Sequence, residues 1–68
     1  MAPRNRVIQA CADLVPGTEI EAWDHGRLVH CGRVSQIVSS MAMFWIIDRR
    51  NGTRSLLDLD ALDVIPAR

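Results

Sequence analysis

The strongest pattern in the chain is a run of seven apolar residues, 41–47, which contains two of its three aromatic side chains. Side chains alternate between the two faces of a strand, so Met43 and Trp45 lie on one face and Phe44 on the other. A chain of 68 residues has room for one small core, which covers one face of this strand. We therefore expect a terminal segment, a second copy or a protein partner to cover the other face.

The residues before this run predict two strands. Residues 18–23 alternate with period two and end in Asp24-His25-Gly26, which is typical of a hairpin turn. A longer second strand is predicted over 27–38, with Gly32 at a bulge or sharp bend.

The residues after the apolar run predict a hairpin and a short last strand. Asn51-Gly52 favours a two-residue type I′ turn, followed by a strand over 53–57. Residues 58–62 predict one tight 3-10 turn, and residues 63–65 predict the fifth strand.

The first sixteen residues, 1–16, differ from the rest of the chain. Their apolar residues recur at helical spacing and Pro16-Gly17 ends the pattern, which predicts a short helix or an ordered arm. Residues 17–68 form the second predicted unit, and the arm is expected to cover one of its openings.

This order of elements over residues 16–66 resembles the SH3-like small barrels, and among them the Tudor and Agenet type. The matching segments are 17–23, 32–37, 48–53 and 59–65. The resemblance implies an all-β fold, a five-stranded SH3-like barrel with a 3-10 turn before the last strand. It implies much less about function, because many unrelated proteins share this fold.

Tudor-type domains hold methylated lysine or arginine in an aromatic cage, by cation–π attraction. Under the resemblance, Trp23 occupies the position of one cage aromatic, and Phe44 or Trp45 that of a second. The remaining walls are missing, because Leu28 stands where an aromatic residue is wanted and the chain has no tyrosine. We therefore predict that Trp23, Met43, Phe44 and Trp45 contact a protein partner or pack internally.

The residues of the chain indicate no metal, cofactor or catalytic site. His30 and Cys31 are neighbours in a predicted strand, so their side chains point to opposite faces and do not converge on one ion. The only other cysteine is Cys11, and no Cys-x-x-Cys pair exists. We expect a non-enzymatic protein with reduced thiols and no small-molecule substrate.

The basic residues form the most specific polar pattern. All eight are arginine and the net charge is zero, which argues against an indiscriminate nucleic-acid binder. A two-residue turn at 51–52 would place Arg49 opposite Arg54, beside Arg50, where they remain solvated, pair with Asp48 or another nearby acid, or grip an anion.

The sequence thus predicts a cytoplasmic interaction module that self-associates or docks a protein through 41–47. The alternative is a nucleic-acid-binding barrel that uses the arginine hairpin with Arg27 and Arg33 for phosphates, and Trp23 for base stacking. No apolar stretch is long enough to span a bilayer and no secretory signal is evident. Arginine without lysine is typical of GC-rich genomes, so we expect a bacterial or phage origin.

Overall fold

The computed structural model describes residues 7–67, whose main feature is one sheet of five antiparallel strands. In chain order the strands are β1 (Glu19–Asp24), β2 (Arg27–Val38), β3 (Met43–Asp48), β4 (Arg54–Asp58) and β5 (Asp63–Pro66). Their order across the sheet is β4-β3-β2-β1-β5. The predicted all-β class with five strands is confirmed, and the bounds of β2 agree with the prediction at both ends.

The sheet is not closed into a cylinder. The strand order makes β4 and β5 the two edges, and no backbone pairing joins them within residues 7–67. The predicted closure into a barrel is therefore not confirmed.

Strand β2 curves because it carries two bulges. Its first half pairs with β1 and its second half with β3, and the two pairings overlap at Gly32 and Arg33. Val29 is the extra residue in the first ladder and Ser35 the extra residue in the second. Bulges bend and twist a strand, so the two together curl the sheet around one of its faces.

Gly32 lies between the two bulges and not at one of them, so of the predicted bulge or sharp bend the bulge is wrong. A Cβ atom at Gly32 would lie 2.1 Å from the carbonyl oxygen of Ile47 on the neighbouring strand. The glycine is required because the two backbones approach too closely for any side chain.

The core fills the inner face of the curled sheet. Its buried apolar side chains are Leu14, Ile20, Ala22, Val34, Phe44, Ile46, Leu57, Leu59 and Val64. Two of them, Leu14 and Leu59, lie outside the strands and cover the core from the connecting segments. Alternate residues of β1 and β3 supply the centre, as expected for strands with one buried face.

The described part of the N-terminal segment, residues 7–16, is an extended arm rather than a helix. The N–H of Ile8 donates to the oxygen of Val64 at 2.7 Å and forms an isolated bridge to β5. The only helical turn in these residues is a 3-10 helix, Cys11–Asp13. The arm's backbone pairs with the β5 edge at Ile8 and does not form an α-helix. The helical spacing of its apolar residues was therefore misleading. The rest of the predicted segment lies outside the described residues.

The connection before β5 is a single hydrogen-bonded turn, as predicted for residues 58–62. The N–H groups of Ala61 and Leu62 both donate to the oxygen of Asp58 at 3.2 Å. A second 3-10 helix, Ser39–Met41, joins β2 to β3. It ends at Ala42, whose φ is 53°. Residues 41–42 therefore belong to this connection. Strand β3 begins at Met43, two residues later than the apolar run predicted.

Candidate interaction surface on strands β3 and β4

The two faces of β3 differ sharply in exposure. Phe44 and Ile46 are completely buried and point into the core, whereas Met43, Trp45 and Ile47 lie on the outer face and are only half-buried. The predicted two-faced strand is therefore present, and one of its faces remains open within residues 7–67. Phe44, predicted as a partner contact, is occupied by the core and is not available to a partner.

Strand β4 extends this outer face to the edge of the sheet. Leu56 pairs with Trp45 and is 41% exposed, and it lies between Arg54 and Asp58 on the same face. The guanidinium of Arg54 stacks over the Trp45 ring, 4.6 Å from its centroid. We call Met43, Trp45, Ile47 and Leu56 the outer strip.

The hairpin between β3 and β4 has a four-residue loop, so the predicted two-residue turn is wrong. The N–H of Asp48 donates to the oxygen of Thr53, and Arg54 pairs with Ile47 rather than with Arg49. Of the two predicted turn residues, only Gly52 has positive φ.

Side-chain hydrogen bonds explain the longer loop. The Asp48 carboxylate accepts from the N–H of Arg50 at 2.8 Å, and Oδ1 of Asn51 accepts from the N–H of Thr53 at 3.0 Å. These local bonds hold the backbone in turns that compete with a type I′ turn. Positive φ at both central residues occurs instead at His25-Gly26, between β1 and β2.

The hairpin arginines have separate partners and do not form one anion site. Arg49 forms an ion pair with Glu19, and Arg50 forms one with Asp48 while donating to the oxygen of Val29. These hydrogen bonds raise the pKa of both arginines. Since Arg54 stacks on a tryptophan, no pair of hairpin guanidinium groups is left side by side.

Asp48 is the polar centre of the fold, and the sequence indicated it only as one possible partner of the hairpin arginines. It is 2% exposed, and its carboxylate accepts hydrogen bonds from the backbone and the side chain of Arg50. These bonds, the side-chain bond above all, lower the pKa of Asp48 to about 2. Nδ1 of His30 lies 3.7 Å from the carboxylate, beyond hydrogen-bond distance, and has no other partner within residues 7–67. The signal in the sequence that points to Asp48 is its position directly after the apolar run 41–47.

The loop side of Asp48 opens into a depression with a volume of 260 Å³. It is lined by Glu19, Arg33, Ile47, Asp48, Arg49 and Gly52. Two carboxylates and two guanidinium groups balance in this lining, so its charge selects neither an anion nor a cation.

The two tryptophans lie beside opposite ends of β2, not side by side. Trp23 pairs with Leu28 near the start of β2, and Trp45 pairs with Gln36 near its end. Eight residues of strand separate these partners, roughly 26 Å at 3.3 Å per residue if the strand were straight. Trp23 donates from Nε1 to the Glu21 carboxylate at 3.1 Å, on a different part of the sheet from the outer strip.

The other predicted site residues are dispersed. Arg27 is exposed at the start of β2. Arg33 lies near the middle of β2, where it pairs with Glu19 of β1 and Ile47 of β3. Among residues 7–67, no three His, Cys, Asp or Glu side chains are grouped to hold a metal ion, and both cysteines are free. None of the described helices is long and apolar enough to cross a membrane.

Comparisons of the chain with protein-family models, with curated proteins and with solved structures found no match.

Proposed function

We propose that the chain is a non-enzymatic interaction module that binds protein through the outer strip and the adjoining edge of β4. One observation carries the proposal: the apolar side chains of the outer strip lie on the open face of strands whose opposite face already fills the core. The strip therefore contributes little to the core, and its exposure is unfavourable unless another surface covers it.

The chemistry of the strip suits a protein partner. Tryptophan is enriched among the residues that dominate binding energy, and methionine adapts to the shape of the surface it meets. Trp45 lies at the centre of the strip, with Leu56 beside it across the β3–β4 ladder. The β4 edge adds backbone donors and acceptors, which an extended partner strand can pair with.

We further propose that the fold is of the SH3-like type. Support comes from the order of the five strands, in which β1 lies between β5 and the β2-β3-β4 meander, and from the long, twice-bulged β2. The curled sheet surrounds a single core in the way that a small, partly open barrel does.

The nucleic-acid alternative has weaker support. It requires free guanidinium groups, but Arg49 and Arg50 pair with carboxylates and Arg54 stacks on Trp45. Within residues 7–67, Arg27 and Arg33 have neither an ion pair nor an aromatic partner, and they lie at different positions along β2.

Site-specific photo-crosslinking in the cell that carries the chain tests the proposed function. A benzophenone amino acid at position 56 should give protein adducts, whereas the same group at Leu28, which is also exposed, should not. Adding Trp45→Ala to the position-56 chain should reduce those adducts several-fold while the purified protein stays folded. Equal adducts at both positions, or none at position 56, would contradict the proposal.

A further inference from the structure

Within residues 7–67, the outward edge of β4 has a defined set of backbone groups that pair with no other strand. At one end of the β3–β4 ladder the N–H of Asp48 donates to the oxygen of Thr53. At the other end the N–H of Leu59 donates to the oxygen of Ala42. Antiparallel ladders alternate, so the odd-numbered residues between these ends face β3 and the even-numbered ones face outward. Arg54, Leu56 and Asp58 therefore direct their N–H and C=O groups to the open edge, where Asp58 O also accepts from the following turn.

The same three residues have a self-complementary order of side chains. Arg54, Leu56 and Asp58 run as positive, apolar and negative along the outer face of the edge strand. An antiparallel copy of this strand, turned about a two-fold axis through Leu56, places each Arg54 opposite the Asp58 of the other copy. It also places the two leucines opposite each other, beside the Trp45 rings.

This arrangement agrees with the backbone geometry. Pairing 56 with 56 and 54 with 58 matches outward-facing residues with outward-facing residues, as the hydrogen bonds of an antiparallel ladder require. A slip of one residue would break this match and turn the side chains to the wrong face. A slip of two residues keeps the ladder but removes the opposite-charge pairs, which favour the centred register.

We infer that the partner of the outer strip is a second copy of this chain, joined by antiparallel pairing of the two β4 strands centred on Leu56. The inference rests on the proposed function and names its partner. The two sheets become one, and the two outer strips meet across the axis. Arg54 keeps its stacking on Trp45, because a guanidinium has donors left for the facing carboxylate.

The dimer is expected to be weak. A standard interface takes roughly 800 Å² from each partner. The whole chain exposes 4477 Å², so such an interface would need almost a fifth of its surface. One short edge and one strip supply less, so we expect a weak dimer that dissociates on dilution.

Charge reversal at the edge tests the pairing, with sedimentation equilibrium of the full chain as the readout. Arg54→Asp and Asp58→Arg each turn two opposite-charge pairs into two like-charge pairs, and each should weaken the homodimer on the order of tenfold or more. An equimolar mixture of the two variants restores both attractive pairs and should form a heterodimer. The double variant, Arg54→Asp with Asp58→Arg, should form a homodimer again.

Two control variants separate the pairing from general charge effects. Arg27→Asp and Asp60→Arg make the same charge changes at exposed positions off the β4 edge and should leave dimerisation unchanged. The circular dichroism spectrum of each variant reports whether it is folded. Because the mixture experiment restores binding without changing either folded variant, loss of a local contact cannot imitate a positive result.

The possible failures are distinguishable. A wild-type chain that stays monomeric at millimolar concentration, or folded variants whose mixture stays monomeric, overturns the β4 dimer. If position 56 still crosslinks to a different protein, only this inference fails. If position 56 gives no protein adducts, the proposed function fails with it.

Discussion

At the scale of single residues, Asp48 has the greatest influence on the structure. Its backbone accepts from Gly52 at 2.8 Å, and its buried carboxylate binds the backbone and the guanidinium of Arg50. One aspartate thereby fixes the end of β3 and the shape of the hairpin loop. Arg50 in turn donates to the oxygen of Val29, which ties the loop to the first bulge of β2. The hydrogen bonds of Arg50 therefore link Asp48 to the bulged part of β2.

The titration of Asp48 predicts a specific acid sensitivity. Its pKa is about 2 in the folded chain, against an ordinary value of 3.8, so the unfolded chain binds more protons between these pH values. The stability that the carboxylate provides is fully present above about pH 4 and is lost as pH falls towards 2. Thermal melts from pH 7 to pH 2 should show this loss in the wild type.

Asp48→Asn should remove that acid-dependent component and lower the melting temperature at pH 7 by roughly 5–10 °C. Asp60→Asn is the matched control, since Asp60 is exposed, and should leave the melting curve unchanged. If Asp48→Asn kept both the wild-type melting temperature and its full acid sensitivity, the carboxylate would have no structural role.

At the scale of elements, strand β2 organises the sheet because it pairs on both sides. The two bulges curve it, and Gly32 allows the backbone of β3 to approach between them. Gly52 has a different role, since it ends the hairpin loop at φ +70° with open space around its Cα. The chain thus uses one glycine for close packing and another for backbone conformation.

This difference predicts unequal costs for two alanine substitutions. Gly32→Ala places a methyl group against the backbone of Ile47, which has to shift, at a cost of about 2 kcal/mol or more. Gly52→Ala meets no atoms and loses only the positive-φ preference, about 1 kcal/mol. Urea unfolding of both variants measures the difference. Equal costs would mean that β2 and β3 do not approach as closely as described.

At the scale of the whole molecule, charge is balanced both in number and in place. The net charge is zero, and the arginines of the hairpin lie beside acidic or aromatic partners from β1 and β3. Within residues 7–67, such a surface provides no extended positive field to attract a polyanion. Apolar burial and edge pairing are therefore the interactions on which the proposed association depends.

We accordingly predict no saturable binding of a labelled 20-nucleotide single-stranded DNA up to about 100 µM protein at roughly 0.15 M salt, measured by fluorescence anisotropy. Self-association should weaken only modestly between roughly 0.05 and 0.3 M salt, because salt screens its two Arg54–Asp58 pairs but not its apolar part. DNA binding that falls steeply with salt and is lost in an Arg27→Ala, Arg33→Ala double variant would favour the nucleic-acid alternative.

Local sequence patterns were enough to predict the strands and some of the turns. Period-two alternation and turn residues are local signals, and they predicted β2 over its full length and the turn at His25-Gly26. The apolar run also predicted a β3 with one buried and one open face. These features depend on neighbours in the chain, which a sequence shows directly.

Three features depend on contacts between distant residues. These are the buried face of β3, the closure of the hairpin loop and the partner of each arginine. The core took Phe44 and left Trp45 outside, because the register with β2 and the direction in which the bulged strand curls fix the inner face. The arginine partners come from Glu19, thirty residues away from Arg49, and from the buried Asp48. Such contacts depend on which strands become neighbours in space, and no local pattern carries that information.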